Sequence, residues 1–165
     1  MPDGTRQRLI ACAVTVLAAE GVDAVTIRRV AREAGVSHGA PLRHFPNREA
    51  LLSAVAASGF SRVTASIAPS GDPVSALVSA CESYVDFGRR EPALFALMAR
   101  YPDESLVARF RSLVADVQAT GWRSAADPGL LAASLWASLN GLVLTGSDAL
   151  ETTLDVYLRE TWNPA

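Results

Sequence analysis

Thr26, Arg28, Ser37, His38, Gly39, Arg43, His44 and Arg48 stand together in one stretch, T-I-R-R-V-A-R-E-A-G-V-S-H-G-A-P-L-R-H-F-P-N-R-E-A-L-L, from Thr26 to Leu52. Up to Arg48 its polar side chains are mostly hydroxyl, imidazole and guanidinium donors, with Glu33 the one carboxylate. Forked guanidinium groups suit phosphate oxygens and guanine edges, so the set suits a nucleic acid. The alternative for each arginine is a solvated face, a reading that weighs more on Arg29 and Arg32 than on Arg28 and Arg48. No paired carboxylates, Ser/Cys-His arrangement or phosphate-cradling glycine loop stands out in the chain, and no enzyme is expected.

Two short helices and a turn must position these donors. Thr26 is a predicted N-cap for a helix whose apolar residues Ile27, Val30, Ala31 and Ala34 recur at three and four. Gly35 supplies the backbone freedom for a sharp end, Val36 an apolar plug, and Ser37 a second N-cap. The second short helix would carry His38, Gly39, Ala40, Leu42, Arg43 and His44 before Phe45. Pro46 and Asn47 then break it ahead of a longer helix opening at Arg48. The spacing is that of a helix-turn-helix for the major groove, although helical hairpins with a glycine turn occur in plain bundles too.

G-V-S-H-G-A-P-L-R-H-F-P-N-R-E-A-L-L resembles the signature of the TetR (tetracycline-repressor) family, with His44, Phe45, Arg48, Glu49, Leu51 and Leu52 in register. Many members carry an aromatic pair before the His-Phe, where this chain has Leu42 and Arg43 preceded by Pro41. A tyrosine hydroxyl contact at position 42 is therefore absent, and Pro41 is expected to push Ala40 out of the α region. The resemblance implies that the second short helix enters the major groove. Arg43 is then the base-edge candidate, with His38 also in reach of a base, and Gly39 allows close approach. Thr26, Arg28, Ser37, His44 and Arg48 fall to phosphates, and Phe45 to pinning the helix.

The net charge of −2 divides unevenly. Through Arg48, seven arginines face Asp3, Glu20, Asp23 and Glu33, a net of +3 that leaves −5 for the remainder. A basic head on an acidic body presents one face to phosphates. The absence of lysine more simply reflects genomic base composition. With 50% hydrophobic residues the chain can build a core. It shows no signal peptide and no continuous apolar run long enough for a membrane span, so a cytoplasmic protein is expected. Cys12 and Cys81 lie in apolar helical stretches and read as core thiols; neither a metal site nor a cofactor is expected.

The rest of the chain is helical in period, without strand patterns or repeats. An opening helix from Asp3 or Thr5 to Glu20 would bury Leu9, Ile10, Ala13, Val14 and Leu17. A connector from Arg48 carries Leu51, Leu52, Val55, Ala56, Phe60 and Val63 on one stripe. Further helices run from Pro73 to Arg90, from Pro92 toward Pro102, from Asp103 toward Gly121, from Leu130 to Thr145 and from about Asp148 to Trp162. The expected fold is all-α: a three-helix DNA-binding domain over 1–46 and a helical ligand-binding and dimerisation domain over 47–165.

Y-V-D-F-G-R-R-E-P-A-L-F-A-L-M, followed later by W-A-S-L-N-G-L, resembles the C-terminal domain named for a Trp-His-Gly pattern, with Asn140 in place of the histidine. The family resemblance implies a homodimer, a palindromic operator in double-stranded DNA and a small-molecule effector that releases a repressor. Tyr84, Phe87, Phe95, Met98, Phe110, Trp136 and Asn140 would line the effector pocket, or else serve as ordinary core. The Leu130–Thr145 stretch is apolar on several sides and needs two burials. Leu131, Leu135, Leu139 and Leu142, with Leu150, Leu154 and Leu158, would form a four-helix dimer interface. A rival reading is a ligand- or partner-binding protein that has lost DNA binding, for which Pro41, Leu42 and the short N-terminal arm speak.

Overall fold

The computed structural model describes residues 3–37, 39–67, 71–101, 103–123 and 125–158, all helix, turn or connecting loop, with no strand among them. The chain divides into two compact units, residues 1–62 with 91–102 and residues 63–90 with 103–165. This packing division differs from the division of labour expected at 46/47. The head unit takes in the first part of the connector and the short helix after Glu91.

In the head unit, α1 spans Asp3–Glu20, α2 Ile27–Glu33 and α5 Pro92–Met98, and α3, Arg48–Ser66, begins here. A 3-10 turn at Val22–Ala24 joins α1 to α2. Thr26 caps α2 as expected, its hydroxyl oxygen accepting from Arg29 N at 3.1 Å. Asn47, read from the sequence only as a breaker, is the corresponding cap of α3 and accepts from Ala50 N at 2.8 Å. The α1 residues inside are Leu9, Ala13, Val16 and Leu17. Ile10 and Val14 are only half-buried and line a groove of about 350 Å³ with Ser58 and Arg62. The α3 stripe is buried as its spacing requires, from Leu51 through Val63. Gly59 sits where a Cβ would lie 2.5 Å from Met98 Sδ, so α3 and α5 approach over a missing side chain.

In the second unit, α4 spans Pro73–Arg90, α6 Glu104–Gln118, α7 Pro128–Thr145 and α8 Leu150–Leu158. Asp103 caps α6 by accepting from Ser105 N at 2.8 Å and Leu106 N at 3.1 Å, and Ser105 also donates its hydroxyl to that carboxylate. The carboxyl pKa of Asp103 is held down by these bonds, that from the Ser105 hydroxyl foremost. Asp127 caps α7 through Leu130 N at 2.8 Å, which starts that helix at Pro128 rather than Leu130. The α8 start is Leu150 rather than Asp148, and its expected end at Trp162 lies outside the described residues. α4, α6 and α7 pack together around Leu77, Cys81, Val85, Phe110, Val114 and Leu139.

Candidate nucleic-acid interface

The turn between α2 and the reading segment is built by Gly35, at φ +62°, with Val36 N donating back to Ala31 O at 3.0 Å. Beyond it, the expected α-helix at 38–44 is replaced by a 3-10 turn at Pro41–Arg43. Ala40 N reaches Ser37 O at 3.0 Å, Arg43 N reaches Ala40 O at 3.3 Å, and His44 N reaches Pro41 O at 2.9 Å, all bonds of the tighter kind. Pro41 has no N–H for the longer-range bond of an α-helix. Ala40 nevertheless keeps φ −65° and ψ −43°, so the expected displacement from the α region does not occur.

The 3-10 turn sorts its side chains cleanly. Pro41 and Phe45 are buried, and Phe45 N donates to Pro41 O at 2.8 Å. Gly39, Leu42 and Arg43 are exposed, as are Thr26, Arg28 and Ser37. No ion pair among the described residues engages Arg28, Arg32 or Arg43. His44 is half-buried, its ring centroid 6.4 Å from that of Phe45. Arg6 on α1 lies over the Phe45 ring at 5.4 Å, a cation–π contact that the sequence did not signal. His38 lies outside the described residues.

Two arginines of the stretch are committed to the fold. Arg29 pairs with Glu20 at 2.7 Å and Glu33 at 2.9 Å, as a solvated-face reading would have it. Arg48 donates from Nε to Val25 O at 2.7 Å and from Nη2 to Val22 O at 2.5 Å. The expectation of a phosphate contact from Arg48 is therefore revised: its fork holds the α1–α2 connection. Glu49 beside it accepts from the Tyr101 hydroxyl, which fastens the start of α3 on a second side.

The seven residues expected around an effector divide between the two units. Phe95 and Met98 are core of the head unit, whereas Tyr84, Phe87, Phe110, Trp136 and Asn140 belong to the other. There, Trp136 packs at a tilt against Tyr84 at 4.7 Å and edge-to-face against Phe110 at 5.3 Å between centroids, and Tyr84 donates its hydroxyl to Asn140 Oδ1 at 3.1 Å. Burial drives the Tyr84 phenol pKa well above its ordinary value, so it stays a donor.

The expected dimer leucines need a similar correction. Leu135, Leu139, Leu142 and Leu154 are at most 8% exposed and form core of their own unit. Leu131, Leu150 and Leu158 are half-buried. The outward residues of α7 are instead Leu130, Ala133, Ser134, Ala137, Ser138, Leu144 and Thr145. α7 is long and apolar enough, by length and composition only, to cross a membrane, and 22% of it is buried in the chain. Leu130, Leu144 and, on α8, Val156 are 74%, 76% and 62% exposed.

Residues 9–55 match the family model described as bacterial regulatory proteins, tetR family. Among curated proteins, the nucleoid occlusion factor SlmA of Haemophilus influenzae is 31% identical over 94 residues, 54% of this chain and 43% of that protein. The HTH-type transcriptional regulator SrpR of Pseudomonas putida is 46% identical over 54 residues, 33% of this chain and 25% of SrpR. The chain thus spans less than half the length of these relatives. A protein with unknown function from Rhodococcus sp. RHA1 shares the fold at a TM-score of 0.82 with 28% identity, covering 96% of both chains. The TetR family transcriptional regulator PfmR from Thermus thermophilus superposes at a TM-score of 0.67 with 17% identity, covering 92% of this chain and 97% of PfmR, a likeness of fold alone. Residues 9–55 thus match the N-terminal domain of the TetR family, and the described residues that carry this match are helix, turn and connecting loop.

Proposed function

We propose that the chain is a DNA-binding transcriptional regulator that acts in the cytoplasm as a homodimer on a palindromic operator. The observation that carries this reading is the outward set of Arg28, Arg32 and Arg43, without an ion pair among the described residues, on a head whose other two arginines in the stretch, Arg29 and Arg48, hold it together. Arg43 takes a guanine edge; Arg28, Thr26 and Ser37 take phosphates. One such turn reads too few bases to specify a site, so two heads bind half-sites about 34–36 Å apart. The second copy covers the exposed residues of α7 and α8, Leu130, Ala137, Leu144 and Val156, in place of the buried leucines first considered.

The regulator is a repressor released by a small apolar or aromatic effector. That effector binds among Tyr84, Phe110, Trp136 and Asn140, a cluster resembling the Trp-His-Gly type of body, and must displace rings that now pack on one another. It alters operator affinity only through a difference in its affinity for two arrangements of the heads. Fluorescence anisotropy on labelled duplex across salt tests the DNA part. A log–log slope near −0.9 per phosphate contact supports it, and a flat response sinks it.

A further inference from the structure

We propose that Leu42 is a specificity residue that covers the C5-methyl group of a thymine in the major groove, next to the guanine taken by Arg43. The inference rests on the DNA-binding reading above. Among the described residues Leu42 is the one large hydrophobic of the head unit that is openly exposed, at 55%. The fold does not use it: Pro41 and Phe45, one on each side in sequence, supply the buried anchors of the same turn, and Phe45 is 2% exposed. Leu42 therefore faces outward with Arg43 and Gly39, and a Cβ built on Gly39 would meet nothing within 4 Å.

A surface meant only for phosphates would gain nothing from a leucine among guanidinium groups. Of the groups that base edges present to the major groove, the thymine methyl is the apolar one, and it is absent from the minor groove. Arg43, adjacent in sequence on a 3-10 turn, offers its fork to guanine O6 and N7 within the same few base pairs. An apolar contact beside a polar fork distinguishes a half-site that pairs a guanine with a nearby thymine from one that has the guanine alone. An isolated exposed leucine without such a role is common on protein surfaces, and the experiment separates the two.

The test uses the full chain and the duplex it selects from a random pool. Each thymine of the half-site is replaced in turn by deoxyuridine, which removes the methyl and leaves pairing and the O4 acceptor intact. The expected result is a loss of about fourfold per half-site at one thymine near the guanine, the magnitude of one buried methyl. With Leu42→Ala, whose thermal midpoint is checked first, thymine and uracil duplexes bind alike. The proposal is overturned if uracil at every position leaves affinity unchanged while binding remains steeply salt-dependent, or if the selected half-site holds no thymine. Absence of binding to any duplex at low salt overturns the DNA reading and this inference with it.

Discussion

The Arg48 side chain donates from Nε to the carbonyl oxygen of Val25 at 2.7 Å, tying the first turn of α3 to the residue that precedes the cap of α2. Its second bond, to Val22 O, spans the same connection. Because each is a charge-assisted bond in a partly buried setting, Arg48→Ala is expected to lower unfolding free energy by roughly 2–3 kcal/mol in urea denaturation. Arg43→Ala, on an exposed turn, is expected to change stability by less than about 0.5 kcal/mol and to weaken DNA binding directly. Equal destabilisation by both would contradict this division of labour.

Arg28 carries no ion pair among the described residues and sits in the first turn of α2, two residues after the Thr26 cap. Arg28→Ala should weaken binding to all duplexes alike and flatten the log–log salt slope by about 0.9 per half-site. Arg29→Ala, which removes the Glu20 and Glu33 pairs, should leave the slope nearly unchanged. Anisotropy titrations at several salt concentrations compare the two.

The exposed and buried leucines of α7 make opposite predictions. Leu144→Glu alters a side chain that is 76% exposed and should leave a folded monomer, seen as halved mass by light scattering. Leu139→Ala empties a fully buried site and should cost about 2–5 kcal/mol of stability. A folded Leu144→Glu dimer would place the interface elsewhere.

The elements were largely legible because their signals are local. Thr26 and Asp103 announce helix starts through side-chain oxygens that accept first-turn N–H groups, Gly35 announces a helix end through its positive φ, and the Leu51–Val63 stripe follows directly from a 3.6-residue period. The reading segment is a 3-10 turn and not the expected α-helix because Pro41 acts less by displacing Ala40 than by removing a backbone bond, one of very few that so short a helix has. The sequence pattern puts Leu139 on the dimer face and passes over Leu144, since both are apolar residues of one helix and only tertiary packing assigns a face. Phe95 was grouped with Trp136 by residue type alone, whereas the packing places them in different units. Arg48 looked like a phosphate donor because its partners, two backbone carbonyls, carry no side-chain signature.

Cys81 is fully buried, and burial pushes its thiol from an ordinary 9.0 up to about 12. The unfolded chain releases that proton from about pH 9 upward while the folded chain keeps it. Stability therefore declines with rising pH between roughly 9 and 12 on this account, and is untouched by Cys81 below that window. At about pH 8 a thiol reagent should modify the half-buried Cys12 in the native protein and Cys81 only after unfolding. Two equally fast thiols in the native state would contradict the packing around Cys81.

The most direct test of the central claim is selection of bound duplexes from a random DNA library at low salt, run in parallel with the native chain and Arg43→Ala. The account predicts enrichment of one palindrome with a guanine in each half-site, and relaxed preference at that guanine alone in the variant. Failure of the native chain to enrich any sequence would contradict it and leave the head as a fold without its reading function.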